Sequence, residues 1–273
     1  MFGALWKRIF GKTDAPEQEP ALPPYDPLAA LRDQVWRDVA GGFHDDDAIL
    51  TAAHDTFVEE LPGPTLRREA SAALRQALAE HNAAEKAWPD MTDCDRLDAA
   101  FAALEAEGVI ARQNFTCCGS CGAIEIWDEI EEAIGEGRPA EGYAFFHMQD
   151  TEAAVEGEAL YLNYGACAAG EAAALDIGRR IAAQLDAHDL AVDWDGSWSM
   201  RIQVVLDWKK RRTLRMLEAG PGGRPPVRAR VTTEVHSVID LFGAFAPLLH
   251  RSRVTHAPVL HQDAPPGRRI LRP

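Results

Sequence analysis

An α+β fold, a mixed β-sheet flanked by helices and preceded by a helical N-terminal segment, is the architecture this 273-residue chain predicts. Three observations lead there. Residues 28–90 carry only helical apolar spacing, broken by Gly and Pro pairs. From Met91 onward, short strand-like runs alternate with amphipathic helical stretches, the pattern of layered α and β structure. The chain is 47% hydrophobic and 26% charged, enough apolar material for a buried core.

The elements follow in order. Residues 1–27 form a leading segment, with no cleavage site of the kind that follows a secretory signal. On a helix, Phe2, Leu5, Trp6, Ile9 and Phe10 share one face, so residues 1–12 suit weak contact with a membrane surface or a protein groove. Five prolines in Asp14–Pro27 then make an extended linker. Residues 28–90 read as three helices. Asp26 and Pro27 cap the first, whose stripe is Leu28, Leu31, Val35 and Val39, ended by Gly41-Gly42. Ile49, Leu50, Ala53 and Phe57 face inward on the second, which Asp45–Asp47 start. Leu66, Ala70, Leu74, Ala77 and Leu78 do so on the third. His44, His54 and His81 read as solvated or capping histidines.

Residues 91–212 read as the α/β core. Thr92 and Asp95 fit a capping box for a helix with Leu97, Phe101 and Leu104 inward, stopped at Gly108. A strand is expected over Val109–Phe115. The next helix is expected to bury Ile124, Trp127, Ile130 and Ile134 and to solvate the acid run around Glu129. Tyr143–Met148 reads as a strand, Asp150–Val155 as a helical turn and Leu160–Tyr164 as a strand. A long helix over Gly170–His188 buries Ala174, Ile177, Ile181 and Leu185. Asp195-Gly196 marks a hairpin into alternating Ile202, Val204, Leu206 and Trp208. Residues 213–273 read as a basic C-terminal extension, extended or disordered in part, with a strand over 227–236 and a short helix near Phe242.

The charge is uneven. The net charge is −15, yet from Lys209 onward 13 Lys/Arg stand against 4 Asp/Glu. An acidic body repels phosphate backbones, so general nucleic-acid binding is not expected, and the basic tail is expected to dock on its own body. No apolar run is long enough for a membrane-spanning helix. The expected compartment is the cytoplasm, where five cysteines do not form a disulfide framework.

Three of those five cysteines fall in Phe115–Gly122, FTCCGSCG. The Cys118-Gly-Ser-Cys121 spacing lets two thiolates reach one zinc ion at about 2.3 Å. A closed site needs two more ligands. His147, at the expected end of a strand, and Cys94 complete the candidate set Cys118, Cys121, His147 and Cys94, with Cys167 as a further donor. Cys117, adjacent to Cys118, is expected to point elsewhere. The same CGSC, between a strand and a helix, also matches the local layout of a dithiol redox motif, whose first thiol gains from the helix dipole. Against that reading, no proline stands at the start of the Leu160 strand. A third reading makes the cysteines small, free fillers of a tight turn. Asp193 and Asp195 share a strand face but read as turn formers. His250, His256 and His261 lack metal-ligand spacing. No nucleophile elbow, P-loop, dinucleotide fingerprint or HExxH is present.

The strings WPDMTDCDRLDAAFAALEAEGVIARQNFTCCGSCG, GYAFFHMQDTEAAVEG, LYLNYG and VDWDGSW resemble a bacterial family known as a domain of unknown function. The resemblance runs over Trp88–Lys210 and implies a bacterial, cytoplasmic protein without assigning a role to any residue. The expected function is a non-enzymatic binding or accessory module with a structural metal or thiol site. The competing expectation is a thiol-dependent oxidoreductase or redox sensor centred on Cys118 and Cys121.

Overall fold

The computed structural model describes residues 24–212. The expected 1–12 helix, the strand and helix beyond residue 212, and His250, His256 and His261 lie outside the described residues. Within them, three helices come first: α1 (Pro27–Gly41), α2 (Asp46–Phe57) and α3 (Gly63–Glu85). The Asp26 and Asp45 side chains accept from backbone N–H groups at the starts of α1 and α2, satisfying donors the helix leaves open. Leu31, Val35, Val39, Ile49, Phe57, Leu66 and Leu74 pack into one apolar cluster of their own. His81 departs from expectation. It is buried on α3, with its ring edge-on to Trp88 at 5.2 Å, and burial lowers its pKa.

The sheet follows. α4 (Asp93–Ala106) opens with the Thr92/Asp95 capping box and leads into β1 (Val109–Arg112). Next come α5 (Gly119–Gly135), β2 (Gly142–Phe145), α6 (Met148–Val155), β3 (Leu160–Ala166), α7 (Glu171–Ala187), β4 (Ala191–Asp193) and β5 (Ile202–Val205). The strand order is β1-β2-β3-β5-β4. β1 and β2 run parallel, with Ile110 opposite Tyr143, and every other neighbouring pair is antiparallel. This is the expected mixed sheet flanked by helices.

Period-two alternation sorts the two faces. Val109, Ala111, Ala144, Leu160, Leu162, Ile202 and Val204 join α4 and α7 in the main core. The α7 stripe of Ala174, Ile177, Ile181 and Leu185 is buried as its spacing predicts. On the reverse face Ile110 and Phe145 pack with Ile126, Ile130 and Ala133 of α5. The remainder of that face, over β3, β5 and β4, exposes Tyr161 and Val205. Two expectations need correction here. Ile124 and Ile134 are 73% and 58% exposed, whereas Ile130 is buried as expected and Trp127 packs against the same cluster, so the buried face of α5 is shifted toward Gly122, Ile126 and Ala133. The hairpin joins β4 to β5 through the loop 194–201 and not through a two-residue turn. There the Asp195 carboxylate accepts from the Ser197 N–H at 2.9 Å, a turn role.

After β5 the segment Asp207–Arg212 crosses back over the helices. Trp208 Nε1 donates to Ala40 O at 3.1 Å, and the Trp208 ring packs on Phe43 and Phe146. Lys210 Nζ meets Asp98 at 2.8 Å, Arg211 pairs with Asp95, and Arg212 reaches Asp46 at 2.7 Å. Lys210, Arg211 and Arg212 of the C-terminal stretch thus lie on acidic surface. The stretch beyond Arg212 is outside the described residues.

Candidate metal centre

The site lies where β1 ends. Alternation of side chains holds only while a chain is extended, and the chain leaves the strand at Arg112. It then turns through Asn114 and Thr116, both in the left-handed region at φ 50° and 59°. Residues other than glycine adopt that conformation at a cost, so the surroundings must hold it. They do so through four hydrogen bonds. Phe115 N–H donates to Phe146 O at 2.8 Å and Met148 N–H to Thr116 O at 3.1 Å. Thr116 Oγ1 donates to Cys118 O at 3.1 Å, and Thr151 Oγ1 donates to Asn114 Oδ1 at 2.8 Å.

This turn brings Cys117 round to the other two cysteines. The Sγ atoms of Cys117, Cys118 and Cys121 all lie within 4.8 Å of one another, and Cys117 Sγ is 3.5 Å from Cys121 Sγ. Three sulfurs bound tetrahedrally to one zinc ion at about 2.3 Å would stand about 3.8 Å apart, so the spacing suits one shared ion. Cys117 is exposed and the other two are half-buried.

Cys118 is the N-cap of α5, and Gly122 sets how close that helix end comes to the sheet. A Cβ on residue 122 would fall 2.5 Å from Phe145 Cε2, so only glycine lets the helix start here. The electrostatics follow from that position. Cys121 and Ser120 N–H groups and the thiols of Cys121 and Cys117 face the Cys118 sulfur, with the Cys121 N–H foremost, and hold its pKa below the free-thiol value. Hydrogen bonding to Cys117 and Cys118 pushes Cys121 up to about 12. A dication bound here would displace the thiol protons and be held by three thiolates.

The other predicted ligands stand differently. His147 is the N-cap of α6 and not the end of a strand. Its Nδ1 accepts from the Asp150 N–H at 3.2 Å, and Asp150 Oδ2 in return accepts from the His147 N–H at 3.1 Å. Its Nε2 lies 3.1 Å from the same carboxylate, which also binds Arg201 at 2.7 Å. Burial holds His147 below the usual histidine pKa; Asp150 opposes that and Arg201 reinforces it. The ring edge lies against Gly119, where a Cβ would be 3.5 Å from Nε2. His147 therefore borders the cysteine loop but is outside the three-sulfur cluster. Asn163 lines the same corner, and its Nδ2 is buried without a partner.

Cys94 is in the first turn of α4, 1% exposed, with its thiol facing the Lys209 N–H and Lys210. Cys167 sits beside Glu141 at the opposite end of β2. Neither belongs to the cluster. Burial pushes the Cys94 thiol up to about 12. A raised folded pKa has a definite sign. Stability is full below the unfolded value near pH 8.5 and falls as pH rises toward 12, by about 1.4 kcal/mol per unit at most. Urea midpoints at about pH 8 and about pH 10.5 should therefore diverge more in the native chain than in Cys94→Ala. Equal divergence would contradict the assignment.

No helix among the described residues is long and apolar enough to cross a membrane. No curated protein and no solved structure matches the chain. A family model described as a domain of unknown function, DUF6891, matches residues 25–212. That match takes in α1–α3, the whole sheet, the cysteine loop and the crossing segment, and the chain belongs to the DUF6891 family.

Proposed function

We propose that this domain is a non-enzymatic ion-binding module in which Cys117, Cys118 and Cys121 hold one ion of the zinc class, with water as fourth ligand. The observation that carries the reading is the convergence of three Sγ atoms within 4.8 Å at the start of α5. Thiolates are soft ligands suited to zinc and its heavier relatives. The positive end of α5 favours the negative charge that three thiolates bring. The role is structural or accessory: the fold is closed by its own cores without the site, and the ligands sit on a surface loop.

Purified full-length protein should carry close to one equivalent of zinc by elemental analysis. Cadmium titration should give the ultraviolet band of sulfur-to-metal charge transfer. Cys118→Ser should remove both while leaving the thermal midpoint of the metal-free protein unchanged. Protein that takes up neither ion would sink the proposal.

A second reading, a dithiol redox site, draws on the lowered pKa of Cys118 beside a second thiol. Alkylation of Cys118 against pH separates the two. A midpoint well below about 8.5 in metal-free protein, with reversible Cys118–Cys121 oxidation, would favour redox chemistry.

A further inference from the structure

The three sulfurs form an incomplete shell for a four-coordinate ion. No other His, Cys, Asp or Glu atom joins the Cys117–Cys118–Cys121 group among the described residues. The nearest imidazole is engaged on both ring nitrogens: His147 Nδ1 accepts from the Asp150 N–H, and Nε2 lies 3.1 Å from the Asp150 carboxylate. Recruiting it would uncap α6 and break the buried His147–Asp150–Arg201 contact. Cys94, the remaining candidate ligand from the sequence, is buried in α4. The outer side of the site opens to solvent through Cys117 and Ser120. The loop nevertheless fixes three sulfurs together through the hydrogen bonds that hold Asn114 and Thr116 in place.

Such a shell is complete for an ion that bonds to three sulfurs and fills the fourth direction with its own lone pair. We propose that the Cys117–Cys118–Cys121 cluster also captures trivalent arsenic, entering as arsenous acid from solvent. This rests on the reading that these three sulfurs act together as ligands. The step balances without an oxidant or reductant. Three As–O bonds break and three As–S bonds form. Each thiol proton leaves with one hydroxide as water, so one As(OH)₃ and three thiols give one As(S–Cys)₃ and three waters. Arsenic remains trivalent throughout. The product adds no net charge beside the acidic outer face of α5, where Glu125, Asp128, Glu131 and Glu132 stand. A zinc ion with three thiolates would add a charge of −1.

Three covalent attachments from one loop also distinguish this cluster from a pair of thiols. A two-thiol site retains an organic arsenical with two open positions but holds arsenous acid weakly. A three-thiol site should hold arsenous acid itself, and the serine variant of each cysteine should lose it.

The test uses the full chain, reduced with a phosphine and freed of metal, titrated in parallel with sodium arsenite and with zinc. Bound arsenic and zinc are measured after desalting, and free thiols are counted in denaturant. The expected result is one arsenic per chain with three of the five thiols consumed. Cys117→Ser, Cys118→Ser and Cys121→Ser should each weaken arsenite binding by at least about tenfold. Cys94→Ser and Cys167→Ser should leave it unchanged, and circular dichroism checks that each variant folds. Zinc binding without arsenite binding would overturn this inference and leave the zinc reading standing. Arsenite binding without zinc binding would support this inference and overturn the zinc reading. Arsenite that consumes two thiols, with one of the three serine variants silent, would overturn the three-sulfur geometry. Binding of neither would overturn both.

Discussion

Phe146→Ala should cost the domain about 3–5 kcal/mol, a large part of the whole stability of a domain this size. Phe146 is fully buried one residue past β2. Its ring meets Phe101 of α4 at 5.8 Å, Phe43 of the α1–α2 connection at 6.1 Å and Trp208 of the crossing segment at 6.2 Å. Among the described residues no other ring pairs with all three parts, so the cavity left by alanine would open at their junction, where the surrounding groups are least free to close in. Phe146 O also accepts the Phe115 N–H that pins the cysteine loop. Urea unfolding should show a lower midpoint with an unchanged slope. A loss under about 1 kcal/mol would mean that the three parts do not depend on this ring.

Gly142→Ala should be about as damaging, for the opposite reason. Gly142 opens the β2 strand, paired with Val109 on one side and Ala166 on the other. A Cβ there would lie 2.5 Å from Gly165 O and 2.6 Å from Ile177 Cγ1. A flexible side chain can swing aside, but a strand carbonyl cannot. The change should therefore reach or exceed the 1–3 kcal/mol typical of overpacking, roughly the upper end. The double variant Gly142→Ala/Ile177→Ala separates the two contacts. Removing the isoleucine branch should recover little if the carbonyl dominates. Full recovery would assign the clash to Ile177 alone.

Regular features of the fold could be read from local patterns. The α7 stripe and the Thr92/Asp95 box depend on spacing and on one capping pair, and both stand as expected. The α5 face is only half legible: Ile130 and Trp127 pack as their spacing predicts, but two apolar stripes run along that helix. The larger one, Ile124 and Ile134, looks the better core, yet a helix that approaches Phe145 closely must present its smallest residues, Gly122 and Ala133. His147 shows a related limit. Neutral imidazole takes the place that Ser, Thr or Asp usually fills, and Asp150 at the third helical position was the available signal. Cys117, adjacent to Cys118, is expected from the sequence to point elsewhere. Only the left-handed backbone at Asn114 and Thr116 reverses that, and neither residue type announces it. The third sulfur of the site was thus hidden by backbone geometry, while the CxxC pair was plain from spacing.

The Asp207–Arg212 segment has a consequence for how the chain is made. Arg212 contacts Asp46 and Trp208 contacts Ala40, residues synthesised long before them. α1–α3 form their cluster from near neighbours in sequence and can assemble early. The seam between that bundle and the sheet closes only when the last residues of the domain leave the ribosome. A nascent chain stalled a few residues short of Trp208 would therefore expose Phe43 and Phe146 together. Such a chain should be open to protease at the α1–α2 connection, whereas one extended past Arg212 should be protected there.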